Sequence, residues 1–169
     1  LAFDPCLDIV GHRIPNYFVD RKSAVISAEL EGIAELGVNL HRNDVAVIFP
    51  EGTRANDEKR EVLLRRLESK SPERAKRLAP LTRLLVPKPA GAHALLSKVK
   101  NATVLTMWHT GFDGADTTGG MVRTLAAGPV HVRVTIEQHA KSSIPTDDGF
   151  VEWLDTQWLR MDQAVAKTA

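Results

Sequence analysis

Two short stretches set charged side chains directly behind apolar runs. "NYFV", residues 16–19, leads into Asp20 and Arg21, and "VAVIF", residues 45–49, leads into Pro50, Glu51, Gly52, Thr53 and Arg54. A turn needs only Pro and Gly, so the added carboxylates and guanidiniums mark a place that holds something. If the two runs are parallel neighbouring strands, their ends meet at one sheet edge, where open α/β sheets take their ligands. Two guanidiniums there suit an anion. Phosphate accepts bidentate bonds from Arg, each charge-assisted bond being worth roughly 1.5 to 3 kcal/mol. In that arrangement Asp20 and Glu51 orient Arg21 and Arg54. The same residues also fit a structural ion-pair cluster tying two loops, and their spacing leaves both readings open.

A second constellation, His109, Asp113 and Asp116 in "HTGFDGADTTGG", imitates a metal site or a metal-assisted hydrolase. Its spacing matches no standard ligand pattern, so no metal and no resident cofactor are expected. His93, His131 and His139 read as solvated, and His41 falls at a helix end, where a cation suits the dipole. Trp108, Trp153 and Trp158 read as core or interface residues before an acyl-chain groove.

The background is that of an ordinary globular chain. Its 169 residues suit one domain, 43% are apolar, 25% are charged, and the net charge is +1, which favours neither disorder nor nucleic-acid binding. Cys6 is the sole cysteine, so no intramolecular disulfide and no cysteine-based zinc cluster can form. The sequence shows neither a run of roughly 18 apolar residues nor a basic-then-apolar signal layout. The chain is expected to be soluble or peripheral. It begins at Leu1, and its opening reads as the middle of a domain, so an upstream segment is expected. Between Arg54 and Lys88 stand eleven Lys or Arg against five Asp or Glu, a surplus of six. These are either solvated helices or a basic face toward anionic lipid, worth about 1 kcal/mol per cation at such a surface.

The elements that must position these groups follow from periodicity. Residues 16–19 and 45–49 read as strands, the second covered on both faces as in a parallel sheet. Ser23 can cap a helix over 24–36, where Ile26, Leu30, Ile33 and Leu36 share a face. Residues 57–79 are helical in propensity and divided by Pro72. Strands are expected at 84–87, 103–108 and 130–136, the last half-exposed, with a short helix over 91–100. The final helix follows the capping candidates Thr146 and Asp147, with Val151, Leu154, Trp158, Met161 and Val165 on one face. Alternating strands and helices predict a single α/β domain, a mostly parallel sheet with flanking helices.

These stretches resemble a known family. "FPEGTR", Phe49 to Arg54, looks like the most diagnostic motif of the glycerophospholipid acyltransferases, which include 1-acylglycerol-3-phosphate acyltransferase. "YFVDR", Tyr17 to Arg21, is similar to that family's Asp-Arg block, and "LLVPKPAG", Leu84 to Gly91, to its fourth, proline-containing block. The tail from Ile144 to Asp162 looks like the C-terminal helix of the branch with lysophosphatidate and lysocardiolipin acyltransferases. The resemblance covers most of the chain.

The resemblance implies transfer of a fatty acyl group from a coenzyme A or carrier-protein thioester to a lysophospholipid hydroxyl, at the cytoplasmic face of a membrane. It implies that Arg54 and Arg21 bind the acceptor phosphate, that Glu51, Gly52 and Thr53 shape the site, and that Asp20, Pro50 and Pro87 support it. One feature departs from the family. Its catalytic H-x-x-x-x-D block precedes the Asp-Arg block, whereas here the upstream histidine is His12, with Tyr17 at the aspartate's offset. The chain is therefore read as the portion C-terminal to that motif, with no catalytic residue of its own. A non-catalytic module for anionic phospholipid is the alternative.

Overall fold

The computed structural model describes residues 26–53, 55–112, 114 and 117–167. The expected strand at 16–19, the cap at Ser23, and Cys6, His12, Asp20, Arg21, Arg54, Asp113 and Asp116 lie outside them. By their contacts the described residues form two units, one of residues 26–48 with Pro89–Asn101, the other of Phe49–Lys88 with Ala102 onward.

The first unit is a helix pair. Helix α1 spans Ile26–Val38, ending two residues beyond the position that the periodicity suggests. It packs on α4, Pro89–Lys98. Gly37 sets the closest approach, because a β-carbon there would stand 2.6 Å from the Leu95 carbonyl oxygen. Ile33 is buried on the same face.

In the second unit, α2 covers Asp57–Lys70, and its N-cap Asn56 accepts the Lys59 backbone N–H at 2.8 Å. Helix α3, Pro72–Leu78, begins on the proline that divides the stretch, a position where the missing N–H costs nothing. Strands β1, Thr103–Thr110, and β2, Arg133–Ala140, are antiparallel, with Met107 opposite Ile136. Helix α5, Thr118–Ala127, lies between them in sequence and is capped by Thr117. A 3-10 turn at Lys141–Ser143 leads to the long α6, Gly149–Ala166. One face of the hairpin meets α6: Thr106 bonds His139 at 3.0 Å, His139 stands edge-on to Trp153 at 5.5 Å, and Arg160 reaches Glu137 at 3.0 Å. The opposite face carries Leu105, Met107, Val134 and Ile136, all exposed.

The expected α/β architecture is therefore corrected. The described residues are mostly helical, and their sheet is a two-stranded antiparallel hairpin instead of a mostly parallel sheet. Residues 45–49 form no strand, and Val45 and Phe49 are 82% and 78% exposed. An apolar run becomes a strand only where a neighbour supplies ladder bonds, and no described residue does so here. Residues 84–87 also lack a ladder, yet Leu85, Val86 and Pro87 are buried. The half-exposed last strand is present but begins three residues later than 130.

The core gathers Leu78, Leu81 and Val86, with Leu63, Leu64, Leu67, Leu84, Trp158 and Leu159 packed around them. Two carboxylates from α6 are buried beside it. Asp155 is fully buried and receives the Arg74 guanidinium on both oxygens, at 2.8 Å to 3.2 Å, and Arg77 at 3.0 Å. Asp162 accepts the backbone N–H groups of Thr82, Arg83 and Leu84 at 2.7 Å to 2.9 Å, and the Thr82 hydroxyl at 3.0 Å. Among the described residues no buried side-chain nitrogen or oxygen lacks a partner.

Removing one member of a buried ion pair costs about 3 to 5 kcal/mol, because the remaining charges stay desolvated. Asp155→Ala should therefore lower the unfolding free energy by about that much, read as a drop in urea midpoint. An unchanged midpoint would mean that Arg74 and Arg77 stabilise nothing through Asp155.

Candidate functional site

The loop after Phe49 is built by backbone geometry. Gly52 donates its N–H to the Phe49 carbonyl at 3.0 Å and holds φ at +70°, a conformation that favours glycine. Pro50 offers its carbonyl to the Lys88 N–H at 2.9 Å. The Glu51 carboxylate accepts the Leu85 N–H at 3.1 Å and the Trp158 indole N–H at 3.2 Å, both on Oε1. The "FPEGTR" and "LLVP" stretches are thus bonded to each other and to α6.

Just beyond, Thr53 Oγ1 accepts a bond from the Lys59 ammonium at 3.5 Å. Pro87 is fully buried, and its carbonyl accepts the Arg74 guanidinium at 2.8 Å. Among the expected site residues, Pro50, Glu51, Gly52, Thr53 and Pro87 fall in the same unit, and bonds tie Pro50 and Glu51 to residues 85–88. Arg21, Asp20 and Arg54 lie outside the described residues, so the expected meeting of Asp20 and Arg21 with Glu51 and Arg54 does too.

Burial pushes the Glu51 carboxyl above its ordinary value of 4.5. The N–H groups of Leu85 and Trp158 pull the other way, while the negative charge of Asp162 adds to the rise. This carboxyl works here as a structural acceptor.

Sequence reasoning missed Lys59, Asp155 and Asp162, and placed Trp158 in the core or an interface without its bond to Glu51. A signal for the two acids exists: Asp155, Trp158 and Asp162 recur at spacings of three and four, the helical-face pattern, beside the apolar stripe of α6. The bond from Trp158 to Glu51 spans 107 residues and leaves no trace in either local pattern.

The histidine constellation gathers less. His109 stands edge-on to Phe112 at 5.2 Å, and Asp113 and Asp116 are outside the described residues. Among those described, no three His, Cys, Asp or Glu come together as metal ligands. A shallow cleft of about 460 Å³ is lined by Thr110, Gly111, His131, Val132 and Arg133. Among the described residues that line it, none is a carboxylate.

No family model, no curated protein and no solved structure matches this chain. Among the described residues no helix is long and apolar enough to cross a membrane.

Glu51 also sets a pH dependence. Its raised folded value means that the folded state binds the proton more tightly than the unfolded state. That contribution is complete below about 4.5 and is lost as pH rises through the raised value. Gln keeps the Oε1 acceptor without the charge, so the melting temperature of Glu51→Gln relative to wild type should increase between pH 4.5 and pH 7. Glu51→Ala, which strands two donors, should cost about 2 kcal/mol at pH 7. A constant offset between wild type and Glu51→Gln would contradict the protonation argument.

Proposed function

We propose that the chain is the acceptor-binding part of a lysophospholipid acyltransferase. The proposed reaction moves a fatty acyl group from a coenzyme A or carrier-protein thioester to the free hydroxyl of a lysophospholipid such as 1-acylglycerol-3-phosphate, at the cytoplasmic face of a membrane. The observation that carries the reading is the bonding of the "FPEGTR" loop to the "LLVP" stretch, through Glu51 to Leu85 and Pro50 to Lys88. Blocks that serve one site in the resembled family have to be neighbours, and these two are. Arg54, next in sequence to this loop, is assigned the acceptor phosphate, and Arg21 assists it. Gly52 and Thr53 shape the anion pocket, which Asp20, Pro50 and Pro87 support.

The chain contains no histidine with aspartate five positions on. A hydroxyl is a poor nucleophile at neutral pH, and a positioned general base contributes roughly 10²- to 10⁴-fold. The 169 residues alone are therefore assigned binding without turnover. The second reading, a module holding anionic phospholipid without chemistry, draws on the basic stretch 54–88. That surplus is partly consumed internally, since Asp155, outside the stretch, takes both Arg74 and Arg77.

Calorimetry with short-chain lipids tests the assignment. The chain should bind 1-hexanoylglycerol-3-phosphate about tenfold or more tightly than 1-hexanoylglycerol, and Arg54→Ala should abolish the difference. Equal binding of the two lipids would sink the phosphate site. Acyl transfer by the chain should stay at the uncatalysed rate, and turnover would contradict the assignment of binding alone.

A further inference from the structure

Lys88 follows Pro87 at the end of the buried stretch, and the peptide unit that joins them is held at both its polar groups. The Pro87 carbonyl is held by Arg74 and the Lys88 N–H by the Pro50 carbonyl. Its exposed side chain returns over the 50–53 loop, where a β-carbon at position 52 would stand 3.4 Å from the ammonium nitrogen. The Lys59 ammonium reaches Thr53 Oγ1 from α2. Two lysine side chains from different elements thus converge on the adjacent residues Gly52 and Thr53. No carboxylate among the described residues pairs with Lys88.

We infer that Lys88 is a specificity-determining residue for the acceptor phosphate, supplying, with Lys59 beside it, the ammonium charge that recognises a doubly charged phosphoryl group at the 52–53 turn. The inference rests on the acceptor-binding role proposed above and assigns part of it to a residue outside the "FPEGTR" motif. Glycine at 52 serves two ends. It takes the positive φ, and it leaves open the space beneath the Lys88 ammonium that a phosphate oxygen needs. Lysine fits the role because its ammonium is a compact point charge with three donors, complementing the planar fork of an arginine.

A phosphomonoester gains its second negative charge near pH 6, whereas a phosphodiester keeps one charge throughout. Binding should follow that difference. The test is calorimetry on wild type, Lys88→Met, Lys88→Arg and Arg54→Ala, with 1-hexanoylglycerol-3-phosphate, its phosphoglycerol diester and 1-hexanoylglycerol, from pH 5 to pH 7.5. Wild type should bind the monoester more tightly as pH rises, and the diester with little change. Lys88→Met should weaken monoester binding about tenfold at pH 7.5, bring it near the diester and flatten the pH profile. Lys88→Arg should retain most of the preference, and urea midpoints matching wild type would exclude misfolding as the cause.

If Lys88→Met binds both phosphates like wild type while Arg54→Ala loses them, the lysine assignment is overturned and the acceptor-binding reading stands. If wild type does not distinguish either phosphate from 1-hexanoylglycerol, the reading itself fails and the lysine assignment falls with it.

Discussion

Residues 82–88 dip into the core at Leu85, Val86 and Pro87 without a strand partner among the described residues, and much of the second unit is tied to their backbone. Burying an amide without an acceptor costs about 1 to 3 kcal/mol, so the oxygens that meet these N–H groups matter to the fold. Asp162 supplies them for Thr82, Arg83 and Leu84, Glu51 for Leu85, and the Pro50 carbonyl for Lys88. Arg74 answers the Pro87 carbonyl and is itself held by Asp155. Helix α6, helix α3 and the 50–53 loop are joined through this one stretch.

That arrangement explains why acids sit on the inner face of a helix. Buried ion pairs add little net stability compared with a well-packed apolar core, but removing one partner is expensive. What Asp155 and Asp162 provide is position. They fix the height at which residues 84–88 pass beneath the loop, so that Glu51 and Pro50 meet Leu85 and Lys88. A loop fixed in this way can present an anion site without reorganising when the ligand arrives, which is how preorganisation lowers the cost of binding.

Most helices were legible in the sequence, but α5 was not, because it starts inside the glycine-rich stretch that reads as a loop. The division at Pro72, the apolar stripe of α6 and the pairing of helices to periodic faces all follow from local spacing, and boundaries differ by a few residues. Strands were not legible to the same degree. "VAVIF" has a strand's composition, but pairing is a property of neighbours, and here its residues are exposed and irregular. "LLVP" is buried as a central strand would be, yet its hydrogen bonds run to carboxylates 34 to 78 positions away. Glu51 was singled out as a carboxylate that orients an arginine at the end of an apolar run, and the bonds described for it go instead to Leu85 and Trp158. Its structural partners, Leu85 and Trp158, are distant in sequence and carry no mark that local pattern could read. Lys88 was hidden for a related reason, since it is one basic residue among eleven until the Pro50 bond places it.

The central claim is that the 50–53 loop and Lys88 form one phosphate site. Amide chemical shifts of the isotope-labelled chain, titrated with 1-hexanoylglycerol-3-phosphate, test it most directly. Perturbations centred on Gly52, Thr53 and Lys88 are predicted, weakening toward the hairpin. A response centred on Thr110 to Arg133, with Gly52 and Lys88 unmoved at saturation, would contradict it.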